Sequence, residues 1–277
     1  MSVFSLPERP QSLLRLQRYR SGISQYTRTI LTALLFPTGL LVLWQIAASL
    51  NWMPEQILPA PLYTLQTAIE LIHDGELGDA LRISLFRLLC GFVFGGVMGV
   101  TTGLLFALSR TADNWIGPTV RAACLVPSLG WLPFFMLIFG IGETLKFVLI
   151  AKTCFLPLLI GSYNAARDLP QKYRDVARVL ELTLWQRLRI IYFPAIAPAL
   201  FTAARLALSK GWKALILVEM IASAAGIGYL MTWGRKAFQL DVVFVTMICI
   251  GLIGWLLDYL ALRLEKRLMH WAVEGKA

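Results

Sequence analysis

The sequence predicts an all-α, polytopic membrane protein of about six transmembrane helices, and three observations carry that prediction. Hydrophobic residues make up 57% of the 277 positions and charged residues only 15%, against about 45–50% and about 25% in soluble domains. Mean hydropathy is +0.66, and apolar runs recur at roughly the 20-residue length that a helix needs to cross a hydrocarbon core of about 30 Å. Lys and Arg also alternate between poor and rich loops, as they do when topology is set by retention of positive charge in the cytoplasm. The surplus of +10 and the pI near 9.7 therefore belong to cytoplasmic loops facing membrane lipid, and no nucleic-acid partner is expected.

Six spans follow in order, near 31–50, 83–108, 118–139, 144–163, 196–223 and 242–262. The first ends in Ala47-Ala48-Ser49 and has small residues of the kind found at a signal-peptide cleavage site. About 30 polar and basic residues precede it, however, and its apolar core is longer than the usual 7–15 residues of a signal peptide, so it reads as a retained helix. Between the first two spans lie Pro54, Pro59 and Pro61 and then a helix-like stretch that begins at a proline, which suits a helix start. This connector is expected on the outer membrane surface.

Charge sets the orientation. The N-terminal segment carries Arg9, Arg15, Arg18, Arg20 and Arg28 against Glu8, whereas the first connector carries Glu55, Glu70, Asp74, Glu76 and Asp79 before Arg82. The 164–190 loop is basic again (Arg167, Lys172, Arg174, Arg178, Arg187, Arg189), as is the segment after Arg263. Both termini are thus expected in the cytoplasm. The chain divides into an N-terminal tail (1–30), a transmembrane domain (31–262) containing a long cytoplasmic loop at 164–194, and a C-terminal tail (263–277).

Several kinds of chemistry lack their residues. Cys90, Cys124, Cys154 and Cys249 each stand alone in apolar runs, and His73 and His270 are isolated, so neither a disulfide framework nor a metal site is expected. No phosphate-binding GxxxxGK[ST] loop occurs, and no catalytic cluster of His, Cys or acids. No cofactor is therefore expected on this chain, and it reads as a non-catalytic protein. An ion-gradient transporter would favour paired membrane carboxylates and an inverted repeat; Glu219 is the one clear acid at mid-to-outer depth in the later spans, and no repeat is visible.

Two segments carry a resemblance. From Asp175 to Pro194 the chain reads DVARVLELTLWQRLRIIYFP, a polar, helix-favouring stretch between apolar regions. Val176, Val179 and Leu180 have the i, i+3, i+4 spacing of one helix face, which Trp185 and Leu188 extend. An exposed apolar stripe of this kind marks a contact surface; the alternative is a helix lying on anionic lipid through Arg178, Arg187 and Arg189. The spacing resembles the cytoplasmic signature of ABC-importer permeases: Glu-Ala-Ala, three residues, Gly, nine residues, Ile-x-Leu-Pro. Asp175, Val176 and Ala177 fill the first places, Leu180 precedes the glycine place, Glu181 occupies it, and Ile191, Phe193 and Pro194 close the pattern. The glycine of that pattern permits a turn with positive φ, so Glu181 implies either a turn of another type or an altered partner groove.

Further along stand Ser84-Leu85-Phe86-Arg87, then Trp131-Leu132-Pro133, Phe139-Gly140-Ile141-Gly142-Glu143 and Lys146, then Glu219-Met220-Ile221 and Gly226-Ile227-Gly228-Tyr229-Leu230. This order is similar to the nitrate, sulfonate and taurine (bicarbonate) branch of the binding-protein-dependent permeases. The branch's double proline before Trp-Leu-Pro is absent, because Pro127 is followed by Ser128, Leu129 and Gly130.

The resemblance implies a type I ABC-importer permease fold in a bacterial inner membrane. It also implies a second permease subunit forming a homodimer, two copies of an ABC ATPase that bind ATP and Mg, and an extracytoplasmic binding protein. Its solute would be a small anion, with a vitamin precursor or other neutral solute as the alternative. The 170–194 loop would couple to the ATPase.

Two sets of span residues complete the expectations. Gly91, Gly95, Gly99 and Gly103 recur every fourth residue and strip one helix face for close packing, either within the chain or along a pathway or subunit interface. Arg87, Lys210, Lys213 and Glu219 are candidate pathway residues. Lys210 and Lys213 are three apart on one helix and either draw an anion, pair internally with Glu219 or another acid, or belong to a span shifted towards the cytoplasm. Arg205, nearer the cytoplasmic end, is expected to snorkel.

Overall fold

The computed structural model describes residues 35–50, 52–54, 57–169 and 179–269. It separates into two units, Met1–Leu65 and Gln66–Ala277. In the first, α1 spans Leu35–Ser49. Its 15 described residues rise about 22 Å, short of a hydrocarbon core, and residues 31–34 of the expected span lie outside the described residues. Trp44 donates its indole N–H to the Pro59 carbonyl at 3.0 Å, tying α1 to the proline-rich connector. The helix expected there is α2 (Pro61–His73), which begins at its proline.

Among the described residues of the second unit four helices are long and apolar enough to cross a membrane, or five with a bent pair taken as one span. The first, α3 (Glu76–Leu108), begins seven residues before its apolar run, with Glu76 and Asp79 in the first turn complementing the helix dipole. Ser109 ends it and accepts from the Ala112 N–H at 3.3 Å, capping α4 (Arg110–Trp115).

The next crossing is broken. Its halves, α5 (Gly117–Leu125) and the stretch Ser128–Phe139, which contains α6 (Leu132–Phe139), meet at 97°. The break needs no double proline. Pro127 forces its predecessor out of the helical region, and Val126 lies at φ −65°, ψ 122°. Lys152 donates to the carbonyl that this frees on Val126, at 2.8 Å.

The remaining spans are α7 (Glu143–Arg167), α8 (Phe193–Ala222) and α10 (Leu240–Leu268), with the short α9 (Ile227–Lys236) between the last two. The four spaced glycines explain how α3 and α7 associate. A Cβ on Gly91 would strike the Ile150 side chain at 2.6 Å, one on Gly95 would overlap the Ala151 carbonyl, and one on Gly99 would lie 2.5 Å from the Phe155 carbonyl. At Gly103 it would overlap Ser162 and Leu159. Residue numbers rise together on both helices, so the two run parallel, backbone against backbone.

Helix α8 runs antiparallel to α7, with Ala203 against Gly161 and Gly211 against Cys154. Helix α10 runs antiparallel to α8 in turn, and Trp212 donates to the Ile250 carbonyl at 3.2 Å. The main core lies between these helices, around Leu88, Ile150, Cys154, Ala207, Leu215 and Ile227.

At the end of α3 away from Glu76, a charge cluster joins three elements. Asp113 accepts from Arg121 at 2.7 Å and from the Tyr163 hydroxyl at 2.8 Å. The Arg121 hydrogen bond holds its carboxyl below the usual carboxylate range.

Candidate functional site

The motif blocks scattered between Ser84 and Gly228 meet in one buried polar knot. Arg87, on α3, is 8% exposed and at its centre. Its Nε donates to Glu143 Oε2 at 2.7 Å and its Nη2 to Oε1 at 2.6 Å, a bidentate fork to the first residue of α7. Its Nη1 reaches Glu219 Oε1 at 2.8 Å and the Ala225 carbonyl at 2.7 Å. Lys146, one turn into α7, adds a second cation on Glu143 at 2.7 Å.

Glu219 is fully buried near the end of α8. Both its oxygens accept from Ser84 Oγ, at 2.9 and 2.8 Å, and Oε2 also accepts from the Gly228 N–H at 3.1 Å. Ser84 Oγ in turn accepts from the Ile227 N–H at 2.9 Å. Every bond-forming atom of the carboxylate therefore has a donor, which is the condition for a buried charge to persist.

Gly226 makes room for this packing. It sits at φ +106°, and a Cβ there would lie 2.5 Å from the Glu219 carboxyl carbon. The knot thus pins the α8–α9 turn to the starts of α3 and α7. Glu143, 66% exposed, carries it to a surface cleft of about 670 Å³ shared with Asp79, Arg82 and Phe86.

The other expected site residues lie apart. Lys210 and Lys213 are exposed on α8, and Glu219, the partner considered for them, is occupied by Ser84, Arg87 and Gly228. Lys213 lines a cleft between α8 and α10 together with Trp212, Trp255 and Asp258, whereas Lys210 does not. Arg205 does not snorkel free: it forms a bidentate pair with Asp258, both bonds 2.6 Å. The α10 acid that captures it comes from 53 residues away, a separation that local spacing does not reveal.

Of the 170–194 loop, Asp175, Val176 and Ala177 lie outside the described residues. Leu180 is 61% and Trp185 68% exposed, and Val179 and Ile190 are exposed beside them in sequence. Ile191 is buried against Leu169, and Pro194 opens α8. Glu181 takes φ +48°, so the turn that glycine allows is made here by a residue with a Cβ. Of the two alternatives that Glu181 implies, a turn of another type is not required by this positive φ.

Just after it, Thr183 and Gln186 form a reciprocal capping box, the Thr183 N–H donating to Gln186 Oε1 at 2.9 Å and the Gln186 N–H to Thr183 Oγ1 at 3.4 Å. Sequence reasoning did not single out this cap; its signal is the Thr-x-x-Gln spacing. A π-helical turn, Arg187–Tyr192, then leads into α8.

The long apolar helices define a polytopic α-helical membrane protein. Residues 95–270 match the family described as the binding-protein-dependent transport system inner membrane component, and the chain belongs to that family, the permeases of ABC importers, within its sulfonate, nitrate and taurine branch. It is 33% identical to the putative aliphatic sulfonates transport permease protein of Bacillus subtilis over 86% of each chain. It is 30% identical to the nitrate import permease protein of Synechocystis over 79% of this chain and 82% of that one. With the taurine transport system permease protein of Escherichia coli the identity is 28%, over 84% and 86%. In fold it matches a chain of the inward-facing MetNI methionine ABC transporter, with a TM-score of 0.61 at 19% identity over 70% of this chain and 96% of that one. The chain therefore has the type I importer permease fold.

Proposed function

We propose that this permease forms the pathway for a small anionic solute such as a sulfonate, taurine or nitrate, and that a separate ATPase drives it through the 170–194 loop. The observation that carries the coupling is the loop itself. Its apolar side chains at Val179, Leu180, Trp185 and Ile190 stand exposed within the segment that carries the signature spacing, and a surface of that kind calls for a covering partner. Two ATPase copies, each holding ATP and Mg, would dock on a homodimer of this chain, with both termini cytoplasmic. An extracytoplasmic binding protein would deliver the solute to the opposite side.

The anionic reading rests on Lys210 and Lys213, exposed cations on a transmembrane helix, where an uncompensated charge costs about 2.5–3.5 kcal/mol. It rests also on the solutes in the relatives' names. ATP closure of the ATPases would move the loop and, through α8, the helices, because only a conformation-dependent binding energy shifts such an equilibrium. The test is to tag the chain, extract it from its native host in mild detergent and identify what co-purifies. A P-loop ATPase in equal amount, with a binding protein that takes up sulfonate, taurine or nitrate, is expected. A chain that emerges alone and transports on an ion gradient would overturn the proposal.

A further inference from the structure

Polar ties at its two ends join the first half of the broken span to α7. Of the nine residues of α5 only Gly117 is buried, and among the described residues none of the nine belongs to an apolar cluster. Just past its far end, the Val126 carbonyl accepts from Lys152 on α7. Near its start, Arg121 donates to Asp113 Oδ1 at 2.7 Å. The other oxygen of Asp113 accepts from the Tyr163 hydroxyl at 2.8 Å and faces the Arg167 guanidinium at 3.6 Å. Tyr163 and Arg167 lie one turn apart at the end of α7, and Arg167 also donates to the Tyr163 hydroxyl. The guanidinium carbons of Arg121 and Arg167 stand 5.8 and 5.5 Å from the centre of the Tyr163 ring, within reach of a cation–π contact. Gly117 lets this joint close: a Cβ there would lie 2.6 Å from Asp113 Oδ1 and 2.7 Å from Arg121 Nη2.

The α7 end of the joint is packed on the start of α8 and on the loop before it. Ala166 of α7 shares an apolar cluster with Leu104 of α3 and Ile196 of α8. Leu169, two residues past Arg167, is buried with Ile191, and Leu182 and Tyr192 pack against them. Tyr192 also packs on the first cluster. A continuous series of contacts thus runs from the described second half of the 170–194 loop, through Leu169 and the end of α7, to Asp113 and Arg121 at the start of α5. Its two kinds of contact permit different things. A close-packed apolar cluster moves as a body, because sliding it forfeits contacts and opens voids. Partly exposed ion pairs add little to stability and re-form at a new angle at small cost. Helix α5 can therefore tilt against the bundle while staying tied to α7.

We propose that Asp113 is the positioning residue that makes the broken span follow the loop: its ties to Arg121, Tyr163 and Arg167 carry α5 along when the loop moves the end of α7. The inference rests on the coupling through the 170–194 loop given above and adds the joint by which that movement reaches α5. Without the Asp113 charge, Arg121 and Arg167 have no shared anion, and α5 keeps only the Lys152 tie at its other end. Coupling of this kind is a free energy between two sites carried by a contiguous network. Its loss leaves ATP hydrolysis on the partner subunit in place and removes the response of α5.

The test uses the full chain with its co-purifying ATPase and binding protein in detergent. Cys124 lies on α5; with Cys90, Cys154 and Cys249 replaced by alanine it carries a bimane label, whose change in emission on trapping with ADP and vanadate reports movement of α5. Asp113→Asn is expected to lose that change while ATP hydrolysis stays at the level of the unsubstituted complex, and Asp113→Glu to recover part of it. Gly117→Ala, which leaves every charge in place, is expected to weaken the change too. Arg110→Gln, at a cation on α4 that takes no part in these bonds, is expected to leave it whole. If Asp113→Asn fails to fold, Tyr163→Phe, which removes only the hydroxyl, decides the matter by the same two readings. An emission change as large in these variants as without them overturns the joint alone, as does its absence from the unsubstituted complex. Loss of ATP hydrolysis together with the emission change in folded Asp113→Asn and Tyr163→Phe also overturns it, because the cluster would then be merely structural. A chain with no ATPase beside it overturns the joint together with the coupling reading.

Discussion

Replacing Arg87 tests whether the knot is the element that holds α3, α7 and the α8–α9 turn together. Arg87→Met removes two bonds to Glu143, one to Glu219 and one to the Ala225 carbonyl, all 2.8 Å or shorter. It leaves the Glu219 carboxylate buried with only Ser84 and the Gly228 N–H as donors. Breaking a buried pair in this way costs about 3–5 kcal/mol, which for a chain of this size lowers the unfolding midpoint by on the order of 10 °C.

Glu219→Gln removes the charge and keeps an acceptor for Ser84 and Gly228, so the double variant is expected to recover at least about 2 kcal/mol relative to the sum of the single ones. The assay is thermal unfolding of the purified full chain followed by tryptophan fluorescence, for the wild type, both single variants and the double. Additivity of the two substitutions, or an Arg87→Met midpoint within a degree or two of wild type, would refute the reasoning: the ion pair would then be incidental to packing.

Two further outcomes follow from backbone geometry. Glu181→Gly removes a positive-φ penalty of about 1 kcal/mol, partly offset by the greater chain entropy of glycine; the same melting assay should show no loss of stability, and a clear fall in midpoint would mean that the Glu181 side chain contributes contacts of its own. Gly95→Leu places a side chain on the Ala151 backbone and should cost about 1–3 kcal/mol or more by forcing α3 from α7. Gly251→Leu, with nothing within 4 Å, should melt near wild type, and equal effects at the two sites would show that the glycine face is not what brings α3 and α7 together.

Much of this protein was legible in its sequence because the governing interactions are local or compositional. Apolar run length marks the spans from α3 onward, since a lipid core demands helices of fixed minimum length. Proline marked the start of α2. The four-residue glycine period announced a close helix contact, although not that its partner would be the parallel α7. The loop spacing announced the family even with Glu in the place of glycine, and Glu181 takes a positive φ there.

Tertiary structure decided the partners of the charges. Ser84, Arg87, Glu143, Glu219 and Gly228 span 145 positions, and no periodicity states that they converge, because an ion pair in low dielectric is satisfied by whichever group the fold delivers within reach. The same rule withdrew Arg205 to Asp258 and left Lys152, Lys210 and Lys213 without a carboxylate partner among the described residues. Sequence determines which charges enter the membrane, because each residue's transfer cost is its own. Only the packed helices determine which of those charges cancel, because cancellation depends on distance in space.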